Sequence, residues 1–330
     1  MATDVKAIGK NGKALGGVIK RKKGFARLLQ HGTFRRVTQL GFAAFITFTV
    51  AQHTLAGEGG ESTTASAEAF CPFGGLETLY KYVTSGGSYV PHTHLSNIVL
   101  GGAVLLVALL ARNAFCGWIC PLGFLQDMVS KFSGWMQKRF RPVRRVVKTL
   151  KTKGAWLSVL DRPLRLLKYG VLVWAVGGAA AFGFMVFRDY DPWAALLTIT
   201  EWSVGPGLFV LGVTLVASLF VERPWCRYAC PLGAATGLLS KISPVYLQRN
   251  GDACKACGVC NKACPMGLQI DTASTITSVD CIGCLECVGV CPREGALELK
   301  VGLPPLRLGG RTTIALPDGA TVAFVEGAAK

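Results

Sequence analysis

Acidic residues are few in this chain: 19 Asp and Glu stand against 36 Lys and Arg, giving a net charge of +17. Charged residues of either sign make up only 17% of the sequence, while 51% is hydrophobic. That apolar content excludes disorder as the main state. The 40 glycines show no three-residue period, which excludes a collagen-like fibre. Histidine is scarcer still, with four residues in 330. None lies in the apolar stretches 166–187 or 204–221, which weighs against a bis-histidine haem between central helices. No small-residue cleavage site follows Arg35-Arg36 and the apolar run behind it, so that run is expected to be retained.

Four segments are apolar enough to cross a hydrocarbon core of about 30 Å: 37–55, 95–111, 166–187 and 204–221. The second and fourth are at the short end of the usual range. Lys168, near the start of the third, is expected to snorkel to the interface. Basic residues alternate between the connecting segments. The 36 residues before the first span and the loop between spans two and three carry most of them. The outer segments 56–94 and 188–203 carry one each, Lys81 and Arg188. By the positive-inside rule both termini and the central loop are cytoplasmic, and the two poor loops face outward, into the periplasm of a Gram-negative cell. The basic runs lack interleaved aromatics and flank membrane spans, so a lipid-headgroup surface is expected rather than nucleic acid. Glu77, Trp193 and Trp202 read as anchors at the outer interface.

The chain also repeats itself. AFCGWICPLGFLQDMVSKFS, from Ala114 to Ser133, aligns without gaps with PWCRYACPLGAATGLLSKIS, from Pro224 to Ser243. Each follows a pair of spans, so the halves are parallel repeats related by an axis along the membrane normal, and both elements emerge on the cytoplasmic side. A fainter echo links Cys71-Pro72-Phe73-Gly74-Gly75-Leu76 with Asp191-Pro192-Trp193-Ala194-Ala195-Leu196.

From about residue 250 to 300 the composition changes. Cys254, Cys257, Cys260 and Cys264-Pro265 form one C-x2-C-x2-C-x3-C-P run; Cys281, Cys284, Cys287 and Cys291-Pro292 form a second. This is the bacterial-ferredoxin spacing for two [4Fe-4S] clusters, in which the fourth cysteine of each run ligates the other cluster. Cluster one is therefore expected on Cys254, Cys257, Cys260 and Cys291, and cluster two on Cys264, Cys281, Cys284 and Cys287. Ala256, Gly258, Ala263, Gly283 and Gly289 let the backbone approach the inorganic sulfur. Disulfides fit a cytoplasmic domain poorly, and zinc sites rarely run four cysteines into a Cys-Pro.

Cys116 and Cys120 are four apart, as are Cys226 and Cys230, a spacing that shares one face of a helix. Brought together by the repeat, they would form a further metal centre or a redox-active disulfide. The bland alternative is small apolar filler at a helix end stopped by proline; duplication of all four favours the redox reading. Cys71 stands alone and reads as a buried small hydrophobe. His53, His92 and His94 lie near the outer interface, where a haem or quinol site is a minor reading; His31 carries no motif.

Four spans, two CxxxCP elements and a double-cluster ferredoxin resemble the NapH family, the membrane quinol dehydrogenase component that feeds periplasmic nitrate reductase. The membrane part of NosR and the CcoG copper reductase are similar. The resemblance covers roughly 34 to 300 and rests on the combination of the ferredoxin runs with Cys116-Gly117-Trp118-Ile119-Cys120-Pro121 and Cys226-Arg227-Tyr228-Ala229-Cys230-Pro231. It implies cluster ligation by the eight ferredoxin cysteines, a role for both CxxxCP pairs, electron exchange with the quinone pool and a separate extracytoplasmic redox partner. The chain lacks the large outer flavin domain of NosR and the long C-terminal domain of CcoG. The expected architecture is thus an α-helical polytopic membrane protein of four transmembrane helices in two pseudo-repeats, plus a small α+β 2[4Fe-4S] ferredoxin domain. Its parts are a basic segment 1–36, a membrane domain 37–249, the ferredoxin domain 250–300 and a tail 301–330, where Pro317-Asp318-Gly319 between apolar alternations reads as a hairpin. The expected function is electron relay between the quinone pool or a cytoplasmic donor and an outer partner. A copper reductase or assembly factor and a redox-sensing component are the alternatives.

Overall fold

Apolar, helix-forming stretches dominate the first two thirds of the chain, and they fold as helices. The computed structural model describes residues 31–55, 74–75, 95–153, 155–182, 186–197, 205–293, 295–302, 311–315 and 321–325. Cys71, Glu77, Lys81, His92, His94, Trp202 and the side chains of His31 and His53 lie outside the described residues.

In chain order the helices are α1 His31–Leu55, α2 Leu95–Ala111, α3 Ala114–Trp118, α4 Pro121–Arg139, α5 Arg141–Lys153 and α6 Ala155–Phe182, followed by a 3-10 turn at Arg188–Tyr190. Then come α7 Pro192–Leu197, α8 Pro206–Ser218, α9 Pro224–Tyr228 and α10 Pro231–Leu239. The halves correspond as α1, α2, α3, α4 to α6, α8, α9, α10, and their packing is reciprocal. The α4 helix packs on α8 and α10 on α2, while α1 holds α3 and α4 as α6 holds α9 and α10. The shared Ser-Lys-x-Ser motif explains itself here: the Ser133 hydroxyl donates to Leu219 O (2.7 Å) and the Ser243 hydroxyl to Leu110 O (3.3 Å), one bond across each half. A close backbone approach is also duplicated. A Cβ on Gly75 would meet Asn97 O at 2.2 Å, and one on Gly207 would meet Asp189 O at 3.0 Å.

Among the described residues one helix segment, Pro163–Phe182, is long and apolar enough to cross a membrane; Asn97–Ala111 and Pro206–Ser218 are apolar but shorter. At 1.5 Å per residue, the 13 residues of α8 span only about 20 Å. The helix of the third apolar stretch is described as far as Phe182. Phe187 folds back along α6 and packs against Val171, Leu172 and Ala175. This fold-back carries Asp191 and Trp193 inward. Trp193 is no interface anchor: it is buried with Ile46, Leu122 and Leu211. Lys168 does not snorkel either; only 2% of its side chain is exposed, and it pairs with Asp280.

The cysteine-rich domain begins earlier than the composition change at 250. Strand β1, Val245–Arg249, follows α10 almost directly and is the middle strand of an antiparallel sheet, between β2 Thr275–Ile276 and β3 Leu297–Val301. Short helices α11 Val259–Ala263 and α12 Glu286–Gly289 lie against each other and carry the third cysteine of each run. In the tail, β4 Arg311–Ala315 pairs antiparallel with β5 Thr321–Val325.

Candidate iron-sulfur sites and their coupling

The two ferredoxin runs curl in the same way. Ala256 and Gly258 in the first, and Gly283 and Leu285 in the second, all have positive φ, between 47° and 68°. These left-handed residues fall at matching places, directly before and directly after the middle cysteine. Successive left-handed steps turn backbone N–H groups toward one concave side, the geometry that favours an anionic iron-sulfur group. Glycine at two of the four positions is the sequence signal; Leu285 gave none.

Cys264, Cys281, Cys284 and Cys287 line one cavity with an empty volume of ≈ 350 Å³, walled otherwise by apolar side chains such as Leu247, Met266 and Ile270. These four are the expected ligands of cluster two. Burial, and then the neighbouring Cys284, Cys281 and Cys264, push the Cys287 thiol up. Four thiols in an otherwise apolar cavity suit a group that holds them as thiolates. For cluster one, burial, Asn261 and the nearby Asp271, Cys254 and Cys257 set the Cys260 thiol at about 11. Cys291 packs against the core that contains Cys260. Ala263 closes α11. A Cβ placed on Gly289 would meet no protein atom within 4 Å.

The CxxxCP pairs are not on continuous helices, as their spacing suggested. Cys116 sits in α3 and Cys226 in α9, each a five-residue helix. Cys120 and Cys230 are the N-caps of α4 and α10. Proline therefore opens the second helix rather than stopping the first, its missing N–H costing nothing at that position. The repeat does bring all four thiols together. Burial first, and then neighbouring thiols, raise Cys116 and Cys230 and take Cys120 to about 12; Cys230 feels the charge of all three others, Cys116 that of Cys120 and Cys226, and Cys120 that of Cys226. Among the described residues no three His, Cys, Asp or Glu side chains converge tightly enough for a single metal ion. The same holds for the ferredoxin cysteines, whose expected cargo is polynuclear.

A buried ionic frame surrounds this quartet, and little in the sequence announced it. Arg223, in the left-handed conformation and fully buried, donates from Nε and Nη2 to both Asp127 oxygens at 2.7 Å and from Nη1 to Cys116 O at 2.7 Å. Arg35 adds bonds to Asp127 (2.6 Å), Gly117 O (2.8 Å) and Glu286 (2.9 Å). The Gln126 amide lies 3.6 Å from the Cys226 sulfur.

Cluster two's loop is fastened directly to the quartet. Cys116 packs with Met266, Ile282 and Cys284. Trp118 Nε1 donates to Gly283 O (3.0 Å), Arg112 to Ser278 O (2.7 Å), Asn113 to Val279 O (3.2 Å) and Arg165 to Met266 O (2.9 Å). Gly117 is required by this contact, since a Cβ there would stand 2.3 Å from Ile282 O. The ferredoxin cavity and the CxxxCP quartet are thus adjacent.

Comparisons with known proteins agree with this geometry. A family profile described as "4Fe-4S binding domain" matches residues 93–142 and 204–247, so it covers both CxxxCP elements. One described as "4Fe-4S dicluster domain" matches 246–298. The chain is 29% identical to YccM of Escherichia coli over 287 residues, 82% of this chain and 76% of that one. It is 28% identical to the ferredoxin-type protein NapH of Haemophilus influenzae over 208 residues, 59% of this chain and 66% of that one. It is 27% identical to the regulatory protein NosR of Stutzerimonas stutzeri over 188 residues, 55% of this chain and 24% of that one. No solved structure gives a significant match. With two 4Fe-4S-type segments joined to a dicluster domain, the chain is similar to NapH/NosR-like ferredoxin-type electron transport proteins.

Proposed function

We propose that the protein relays electrons between the quinone pool or a cytoplasmic donor and an extracytoplasmic redox partner, as a four-span protein of the cytoplasmic membrane with both termini inside. The observation that carries this reading is the shared buried cluster of Cys116 from the quartet with Met266, Ile282 and Cys284 from the ferredoxin domain, closed by the approach of Gly117 to Ile282 O. Cys254, Cys257, Cys260 and Cys291 would hold one [4Fe-4S] cluster, and Cys264, Cys281, Cys284 and Cys287 the other. Such clusters supply one-electron storage. Cys116, Cys120, Cys226 and Cys230 would hold a further polynuclear iron-sulfur group, supported by four mutually interacting thiols within segments that match a 4Fe-4S profile.

Four spans are supported by apolar side chains left exposed on α1, α2, α6 and α8, among them Phe45, Val99, Val173 and Phe209. On α1, Thr38 and Thr47 donate back to the carbonyls of Phe34 and Ala43, so their hydroxyls ask nothing of the surroundings. Among the described residues, neither a copper reductase with the quartet as a single-ion site nor a redox-sensing role has a structural feature of its own.

EPR with redox titration of the purified protein tests the proposal. Two signals that survive in a Cys116→Ser/Cys226→Ser variant, plus a third that is lost, are expected. Two signals alone in the parent protein would remove the third site. No reduction by any quinol would remove the quinone arm.

A further inference from the structure

The quartet has a second neighbour. While Cys116 meets the ferredoxin loop, Cys120 and Cys230 line a separate cavity with an empty volume of ≈ 460 Å³. Its walls are Phe115, Leu122, Phe187, Trp193, Trp225 and Leu232. The Phe187 and Trp225 rings stack with an interplanar angle of 22°. The fold-back after α6 builds this cavity by bringing Phe187, Asp191 and Trp193 to the two cysteine helices.

Two polar groups in these walls are unspent. Trp193 Nε1 is buried with no hydrogen-bond partner. Asp191 accepts the Trp193 backbone N–H on Oδ1 at 3.0 Å, capping α7, and among the described residues no cation pairs with its carboxyl. Burial raises that carboxyl to about 7. A buried donor and a buried acid left open in one apolar cavity are costly unless something meets them. An acyl chain would fill the space and satisfy neither. A flat ring bearing oxygens would pack on the aromatic walls and meet both.

We propose that this cavity binds the headgroup of a lipid-soluble quinone or quinol, with Trp193 Nε1 and the Asp191 carboxyl hydrogen-bonding its ring oxygens. This assignment rests on the proposed exchange with the quinone pool and gives it a place, beside Cys120 and Cys230. Trp174 and Tyr190, both exposed, are in ring contact with each other, and Trp174 also meets Phe187 of the cavity wall edge-on.

The test is binding of the fluorescent quinol analogue 2-heptyl-4-hydroxyquinoline N-oxide to the full chain with its clusters, with menadione as competitor. Trp193→Phe removes the indole donor and keeps a ring. Asp191→Asn removes the acid and keeps a side chain able to cap α7. Each is expected to weaken binding about tenfold, the loss of one buried hydrogen bond. Trp135→Phe, at an exposed position on α4, should leave binding unchanged. EPR cluster content, equal in all variants, shows that the fold is intact. If the parent protein binds the probe and both variants bind it equally well, the cavity assignment falls and the quinone reading stands. If the parent protein binds neither compound, both fall.

Discussion

The two ferredoxin runs share their spacing and their left-handed residues, yet they stand in different surroundings. Cys281, Cys284 and Cys287 of the second run are buried; Cys254 and Cys257 of the first are half-exposed, beside exposed Lys255 and Ala256. The second loop has its carbonyls at Ser278, Val279 and Gly283 taken by Arg112, Asn113 and Trp118 of the helical region, and its Asp280 held by Arg165 and Lys168. The first loop is braced from within its own domain, where Asn261 bonds Asp271 (2.6 Å) and the backbone of Ile270 (2.6 Å). One motif therefore serves two positions. The first run is open to solvent, and the second lies against the helices of the cysteine quartet. Exposure is also a determinant of cluster potential, so the two centres should titrate apart.

The largest break in this asymmetry is expected from Asp280→Asn. It strips the carboxylate from Lys168, which is almost fully buried, and from Arg165. Removing one partner of a buried ionic pair costs about 3–5 kcal/mol. Thermal unfolding should show a loss of that order, and the EPR signal of cluster two should weaken before that of cluster one. Asp271→Asn in the first loop should cost about 1 kcal/mol, because Asn261 keeps its bonds to the backbone. Equal losses would mean that the loops are not differently supported.

Gly117→Ala probes the same contrast sterically. The new Cβ would stand 2.3 Å from Ile282 O, a backbone atom of the second loop that can yield only by moving the loop. A cost of about 1–3 kcal/mol is expected, with a shift in the cluster-two EPR line. Gly289→Ala, with nothing within 4 Å, should be neutral or slightly stabilising in its short helix. Trp118→Phe is milder; it leaves Gly283 O without its donor, at about 1 kcal/mol.

The eight ferredoxin cysteines and the duplicated CxxxCP pairs were legible because spacing alone encodes them. Gly258 and Gly283 signalled a close backbone approach to the sulfur; that both are left-handed comes from the structure. The cavity beside Cys120 and Cys230 was not legible. Asp191 and Trp193 looked like residues of an outer loop, since charge alternation reports which side a loop starts from and not how deep it folds back. Lys168 was misread for a similar reason: a lone lysine at a span end has the same local pattern whether it reaches water or a carboxylate from a distant domain. Arg223 and Asp127 meet only after both halves pack, and no period along either segment marks them.

The smallest effect concerns Asp161, which supports the second run at one remove. It pairs with Arg165 (2.9 Å) and Arg227 (2.6 Å) and accepts from Tyr228 (2.7 Å). Arg165 in turn holds Met266 O, and Arg227 closes over Gly267, where a Cβ would meet its guanidinium at 2.7 Å. Asp161 thus orders the segment just after Cys264, the ligand the first run lends to cluster two. Burial raises its carboxyl, but the bonds from Arg227 and Tyr228 and the nearby charges outweigh this and hold it below the usual carboxylate value. A depressed folded value adds stability above the unfolded value of about 3.9, and that stability is lost as pH falls through the folded value. Asp161→Asn should therefore be less stable than the parent by about 1 kcal/mol at pH 7 and at pH 5. Below about pH 4 the difference between the two should shrink, because acid has then neutralised in the parent what the substitution removed. Thermal midpoints of both proteins at pH 7, 5 and 3 check this, and a gap that widened with acid would mean that Asp161 is not the anionic partner of Arg227.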